Sequence, residues 1–217
     1  MMRLLRSRLK SDSGFSLIEL SVAMILSSMI SASLIAVFYS FSQNSGDLAA
    51  KSNVQQSARA VISAQVIEIR QAIRADLNGE AVEAISADRL AFYTQNYVSG
   101  EIERIVYERT DCAEGECELW VYRYSMLSTD GIQTTFNTVP YDASFLMGNV
   151  LNDKPMFFGI RYVGDPLTKV ETPSCDGASI DCDFPVIGIT LRARPYPTSG
   201  GASTPVELHE EVRIRSV

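Results

Sequence analysis

The chain has 217 residues, 46% of them hydrophobic and 21% charged. That composition excludes a disordered chain and suits one sizeable domain with an appendage. Arg3, Arg6, Arg8 and Lys10 against Asp12 give the first fourteen residues +3, leaving −10 on residues 15–217 of a chain whose net charge is −7. So acidic a body is a poor general ligand for nucleic acid, whose binding rests on neutralising phosphates.

After the basic start, 27 residues from Phe15 to Phe41 form an apolar run, and Glu19 is the only charge between Phe15 and Ser45. A secretory signal fits poorly, because its apolar core is about 7–15 residues and it ends at a small-x-small cleavage site. Ser31-Ala32-Ser33 is the best such site, and apolar residues continue beyond it. A membrane anchor fits better: the run would reach about 40 Å as a helix, against about 30 Å of hydrocarbon. The positive-inside rule keeps Arg3 to Lys10 in the cytoplasm and sends the rest of the chain outward. A plain anchor leaves Glu19 unexplained, since a carboxylate there costs about 2.5–3.5 kcal/mol on insertion scales.

The junction Gly14-Phe15-Ser16-Leu17-Ile18-Glu19-Leu20 resembles the processing motif of type IV pilins and type II secretion pseudopilins. The resemblance implies a leader over residues 1–14, cut between Gly14 and Phe15 by prepilin peptidase at the cytoplasmic membrane face. The new N-terminus at Phe15 would be N-methylated. Residues 15–41 would span the membrane in contact with lipid, then pack into the core of a filament with other pilin-like subunits, drawn in by an inner-membrane assembly platform. Glu19, fifth in the mature chain, would pair with a neighbouring subunit's Phe15 amine, set the axial register and discriminate against uncut subunits. Major pilins often carry a helix-kinking proline in this segment; here no proline precedes Pro140, which counts against a major subunit and leaves a minor one open.

Beyond the anchor, Val54, Ala58, Val61, Ile62, Val66, Ile69, Ile73 and Leu77 recur at three- and four-residue steps. They predict an amphipathic continuation over 42–78. Lys51, Arg59, Glu68, Arg70 and Arg74 fall off this stripe, and Asn78-Gly79 offers a C-terminal stop near Leu77. The period then changes. Leu90–Thr94, Ile102–Arg109, Glu118–Tyr124, Met156–Val163, Val186–Arg194 and Val206–Ile214 read as strands. They follow one another without helix-length crossovers, which favours antiparallel pairing. The expected fold is α+β: a long N-terminal helix laid on an antiparallel sheet, with a β-rich head over 79–217. The runs Arg89–Tyr93, Ile105–Glu108, Leu119–Arg123 and Val212–Arg215 also resemble the sheet of J-type minor pseudopilins and W-type minor pilins, subunits of a priming and tip complex.

Four cysteines form two close pairs, Cys112/Cys117 and Cys175/Cys182. If the head is exported, disulfides are permitted. Local pairing is the preferred choice among three connectivities; the spacings suit zinc poorly. Asp176, Asp181 and Asp183 gather in a Gly-containing loop that reads as a solvated acidic loop or as hard-oxygen calcium ligands. His209, the only histidine, falls on the polar face of the last strand. No nucleophile elbow, phosphate loop or His-based metal motif is present, so no cofactor is implied and an enzyme is disfavoured. The leading expectation is a structural subunit of a type IV pilus or type II secretion pseudopilus; the other is a tip adhesin or DNA-uptake pilin whose head binds a ligand.

Overall fold

The computed structural model describes residues 16–75, 80–129, 134–164, 167–175, 182, 184–196 and 204–214. Among the described residues, a 54-residue helix, α1 (Leu17–Arg70), comes first and is followed by ten strands. The chain divides into two compact units, Met1–Gly46 and Asp47–Val217.

In the first unit, the described side chains of the helix are exposed, including Ile18, Leu26, Ile35 and Phe38. A span with mean hydropathy 2.1 is long and apolar enough to cross a membrane. With no charge after Glu19 in this stretch, the surface is hydrophobic all round, the pattern of a helix whose surroundings are lipid or other helices.

In the second unit, Ala58, Val61, Ile62, Gln65 and Ile69 form the buried face of α1. They pack on an antiparallel sheet, giving the expected α+β fold. Its strands are β1 (Val82–Ile85), β2 (Arg89–Gln95), β3 (Ile102–Ala113), β4 (Glu116–Thr129), β5 (Thr134–Phe136), β6 (Asp142–Leu151), β7 (Phe157–Val163), β8 (Thr168–Thr172), β9 (Val186–Ala193) and β10 (Val206–Arg213). The spatial order is β1-β2-β3-β4-β6-β9-β7-β8, with β10 beside β9 and β5 beside β4. Alternation along each strand sets its faces. Leu90, Phe92, Ile105, Tyr107, Leu119, Val121, Ile187, Ile189 and Leu191 enter one core with the helix stripe. Burying each large apolar side chain contributes about 1.5–3 kcal/mol.

The helix ends at Arg70, earlier than the expected Leu77, and Leu77, Asn78 and Gly79 lie outside the described residues. The last turn tightens: the N–H groups of Gln71 and Ala72 donate to the carbonyls of Glu68 and Ile69, three residues back. Ile73 N–H then donates to Tyr93 O at 2.9 Å, so the sheet takes over its backbone pairing. Four strands also escape the sequence pattern. β1 and β5 are too short to show a period, β8 is almost wholly exposed, and β6 carries Gly148 and a positive φ of 56° at Asn149.

Two disulfides close short loops, Cys112–Cys117 and Cys175–Cys182. The first straddles the β3–β4 turn. Glu114 and Gly115 there have φ of 53° and 84°, the left-handed pair that a tight hairpin needs to match strand twist. Arg109, buried in β3, ties the β1–β2 turn to the β6–β7 connection. It pairs with Asp88 and donates to the carbonyls of Ala87, Leu151 and Lys154. Gly159 of β7 lies under the Phe184 ring, where a Cβ would come within 2.5 Å of it.

Candidate functional site

Ser16 and Glu19 start the helix and show what local chemistry fixes there. The Ser16 N–H donates to Glu19 Oε2 at 2.9 Å, and the Ile18 N–H donates to Ser16 Oγ at 3.3 Å. Glu19 thus makes the reach-back half of a capping box, while the Ser16 hydroxyl caps the N–H of Ile18. The carboxylate also lies at the positive end of the helix dipole. The Ser-x-x-Glu spacing was legible in the sequence, and the cap gives Glu19 a structural role within its own chain. Gly14 and Phe15 lie outside the described residues.

The head holds a polar cluster that periodicity did not reveal. Glu68, expected on the solvent side of the helix, instead faces the sheet. It accepts from the Tyr107 hydroxyl at 2.5 Å and pairs with Arg123 of β4. Arg123 also reaches Glu103 at 3.5 Å, and Glu103 accepts from the Tyr141 hydroxyl at 2.5 Å and Asn96 Nδ2 at 3.2 Å. Burial works against the Arg123 charge, yet its bonds to Glu68 and Glu103 hold its pKa above the ordinary value. Burial, reinforced by Glu68, pushes Tyr107 up, and burial with Glu103 pushes Tyr141 up to about 12. These shifts keep both phenols neutral donors. The cluster joins the helix to the sheet, and each of its carboxylates is engaged; Ser125 lies across from Glu103 and lines the same depression with Asn96 and Tyr141.

His209 is exposed as expected. Its ring stacks on Phe158 at 5.9 Å, Nδ1 lies 3.0 Å from Thr190 Oγ1, and Nε2 lies 3.6 Å from Glu211. It borders an open depression of about 410 Å³ with Lys154, Phe158, Glu171 and Glu207. Lys154 and Glu207 satisfy each other there. Asp176, Asp181 and Asp183 lie outside the described residues. Among the described residues, no group of three His, Cys, Asp or Glu side chains is placed to hold a metal ion.

An apolar N-terminal helix with a capped acidic residue in its first turn, joined to a helix-on-sheet head, is the architecture of an anchored structural subunit. Residues 9–35 match the prokaryotic N-terminal methylation motif, which supports a subunit of the pilin and pseudopilin family, processed by prepilin peptidase and assembled with other pilin-like subunits. The same motif with the long apolar helix fits anchorage in the inner membrane. Comparison with curated proteins and with solved structures gives no match.

Proposed function

We propose that this chain is a minor subunit, of the W-type pilin or J-type pseudopilin kind, in the priming and tip complex of a type IV pilus or type II secretion pseudopilus. The observation that carries the reading is the methylation-motif match over residues 9–35. Cleavage after Gly14 creates an amine at Phe15, and Glu19 of an incoming subunit pairs with such an amine on its neighbour. Four helical residues rise about 6 Å, so the two charges of one chain are a little more than one turn apart along the helix. A carboxylate carried unpaired into an apolar filament core is costly, so only cut subunits in register are accepted. The head faces the non-cytoplasmic side, where the two disulfides persist.

The minor role is supported by the proline-free helix and by the large sheet. A helix without that proline, bearing a head with a ten-stranded sheet among its described residues, suits a subunit at one end of a filament better than the repeating shaft. Quantitative mass spectrometry of purified filaments tests this. The expected result is a chain shortened by fourteen residues and present at a few copies per filament. Recovery at the abundance of the shaft subunit would overturn the minor role, and recovery of the uncut chain would overturn the processing.

A further inference from the structure

The helix covers one face of the β3–β4 pair. The opposite face carries a row of aromatic rings. Outward residues along β4 are Glu118, Trp120, Tyr122 and Tyr124, set against Thr110, Glu108, Val106 and Arg104 of β3. The Trp120 and Tyr122 rings lie nearly parallel with centroids 6.4 Å apart. Phe145 of β6, 53% exposed, stands edge-on to Trp120 at 5.6 Å.

One end of this row already holds a cation. The Arg104 guanidinium lies over the Tyr124 ring at 5.1 Å and is anchored by Glu83. A ring on one side and a carboxylate on the other form a complete guanidinium site. Beyond it the same face carries two more rings, Tyr122 and Trp120, and two carboxylates, Glu108 and Glu118; Tyr122 lies opposite the buried Val106, and Glu108 lies between Trp120 on one side and Arg89 of β2 on the other. Glu118 accepts the Trp120 indole N–H at 2.9 Å, which fixes the ring and leaves a second carboxylate oxygen. Glu108 has no ion-pair partner among the described residues, and its cross-strand neighbour Arg89 is not joined to it. Its charge reaches Tyr122, whose pKa is raised first by burial and then by Glu108.

We propose that the outer face formed by Trp120, Tyr122, Phe145, Glu108 and Glu118 docks an arginine-bearing segment of a partner protein. Charge complementarity selects the occupant. The body from residue 15 onward carries −10 within a chain of net −7, so a basic partner is attracted and a second copy of this head is repelled. Arginine suits the face better than lysine, because a planar guanidinium stacks on a ring while its edge donates to a carboxylate. The inference stands apart from the proposed assembly role, which rests on the N-terminal segment.

Trp120 is the single tryptophan, so indole fluorescence reports on this face alone. The full-length protein in a non-ionic detergent is titrated with a capped Gly-Arg-Gly-Arg-Gly peptide and with its citrulline counterpart, which is neutral and nearly isosteric. The expected result is a saturable fluorescence change with the arginine peptide and about tenfold weaker binding of the citrulline peptide. Glu108→Gln and Glu118→Gln, surface changes that keep side-chain size, should each weaken arginine binding about two- to fivefold. No saturable change, equal response to citrulline, or unaltered affinity in the double variant would overturn the proposal. So would a saturable response to cellohexaose in place of the peptide, which marks a carbohydrate platform. A peptide-independent change that tracks protein concentration and dimer formation would assign the face to a second copy and refute it as well.

Discussion

Glu19 has two separable jobs, a cap within its own helix and a charge offered to a neighbour, and two substitutions tell them apart. Glu19→Gln keeps the oxygen that accepts the Ser16 N–H, now 2.9 Å away, because glutamine serves in a capping box as glutamate does. It removes only the charge. Glu19→Ala removes both. Loss of a cap costs about 0.5–2 kcal/mol, and loss of a carboxylate at the helix N-terminus about 0.3–1 kcal/mol more. Either sum frays one turn of a 54-residue helix and leaves the rest standing, so both variants should be made, inserted and cut. Removing the carboxylate also makes insertion easier by about 2.5–3.5 kcal/mol, so neither variant should fail at the membrane. If the charge pairs with a neighbour's amine, both should be strongly depleted from filaments while their cleaved forms accumulate in the membrane. The assay is immunodetection of the cleaved chain in membrane and sheared-filament fractions. Normal incorporation of Glu19→Gln would refute the charge-pairing argument and leave Glu19 as a helix cap. Normal incorporation of Glu19→Ala would refute charge pairing as well, and the cap would stand as a contact within the helix.

Four further outcomes test the head. Arg109→Met should lower stability by about 1.5–3 kcal/mol, chiefly because it strips the donor from three backbone carbonyls, Asp88 being half-exposed and solvated when unpaired; denaturant unfolding measures it, and a loss below 1 kcal/mol would contradict the staple. Gly159→Ala should cost about 1–3 kcal/mol because its Cβ would strike the Phe184 ring, and Gly159→Ala with Phe184→Leu should recover part of that loss in thermal melts. Replacing Cys175 and Cys182 together by alanine opens a loop of sequence separation 7 and should cost about 2–3 kcal/mol in the chain-entropy model; an unchanged unfolding midpoint would show the loop is held by other contacts. Tyr141 and Tyr107 have folded pKa values raised above the phenol's usual 10, so their contribution is complete below about pH 10. It should be lost as pH rises toward about 12, where Tyr141 titrates. Stability against pH should therefore fall steeply there, and Tyr107→Phe should flatten the slope; an equally steep fall in that variant would exclude Tyr107 as a source.

Much of this molecule is written in local patterns. The basic start, the Gly14–Phe15 pair and the apolar run are contiguous, so charge and hydropathy read along the chain are sufficient to find them. The α+β class follows from a change of period, 3.6 before Gly79 and 2 after it. Close cysteine spacing favours local bridges for the same reason, since short loops close with little loss of entropy. The Ser16–Glu19 cap was equally local and available to a reading of helix starts.

What the fold alone decided are the long-range choices. Nothing in the order of strands says that β9 inserts between β6 and β7, because antiparallel pairing rewards any neighbour with a matching apolar face. The helix stops at Arg70, although its apolar period runs on to Leu77, because Tyr93, twenty residues away from Ile73, offers a better backbone partner. Glu68 looked solvated by its place on the helix, yet it became the anchor of Arg123, 55 residues on. The aromatic row depends on alternation within one strand, but its carboxylates come from two. Periodicity gives each residue a face; only packing gives that face a neighbour.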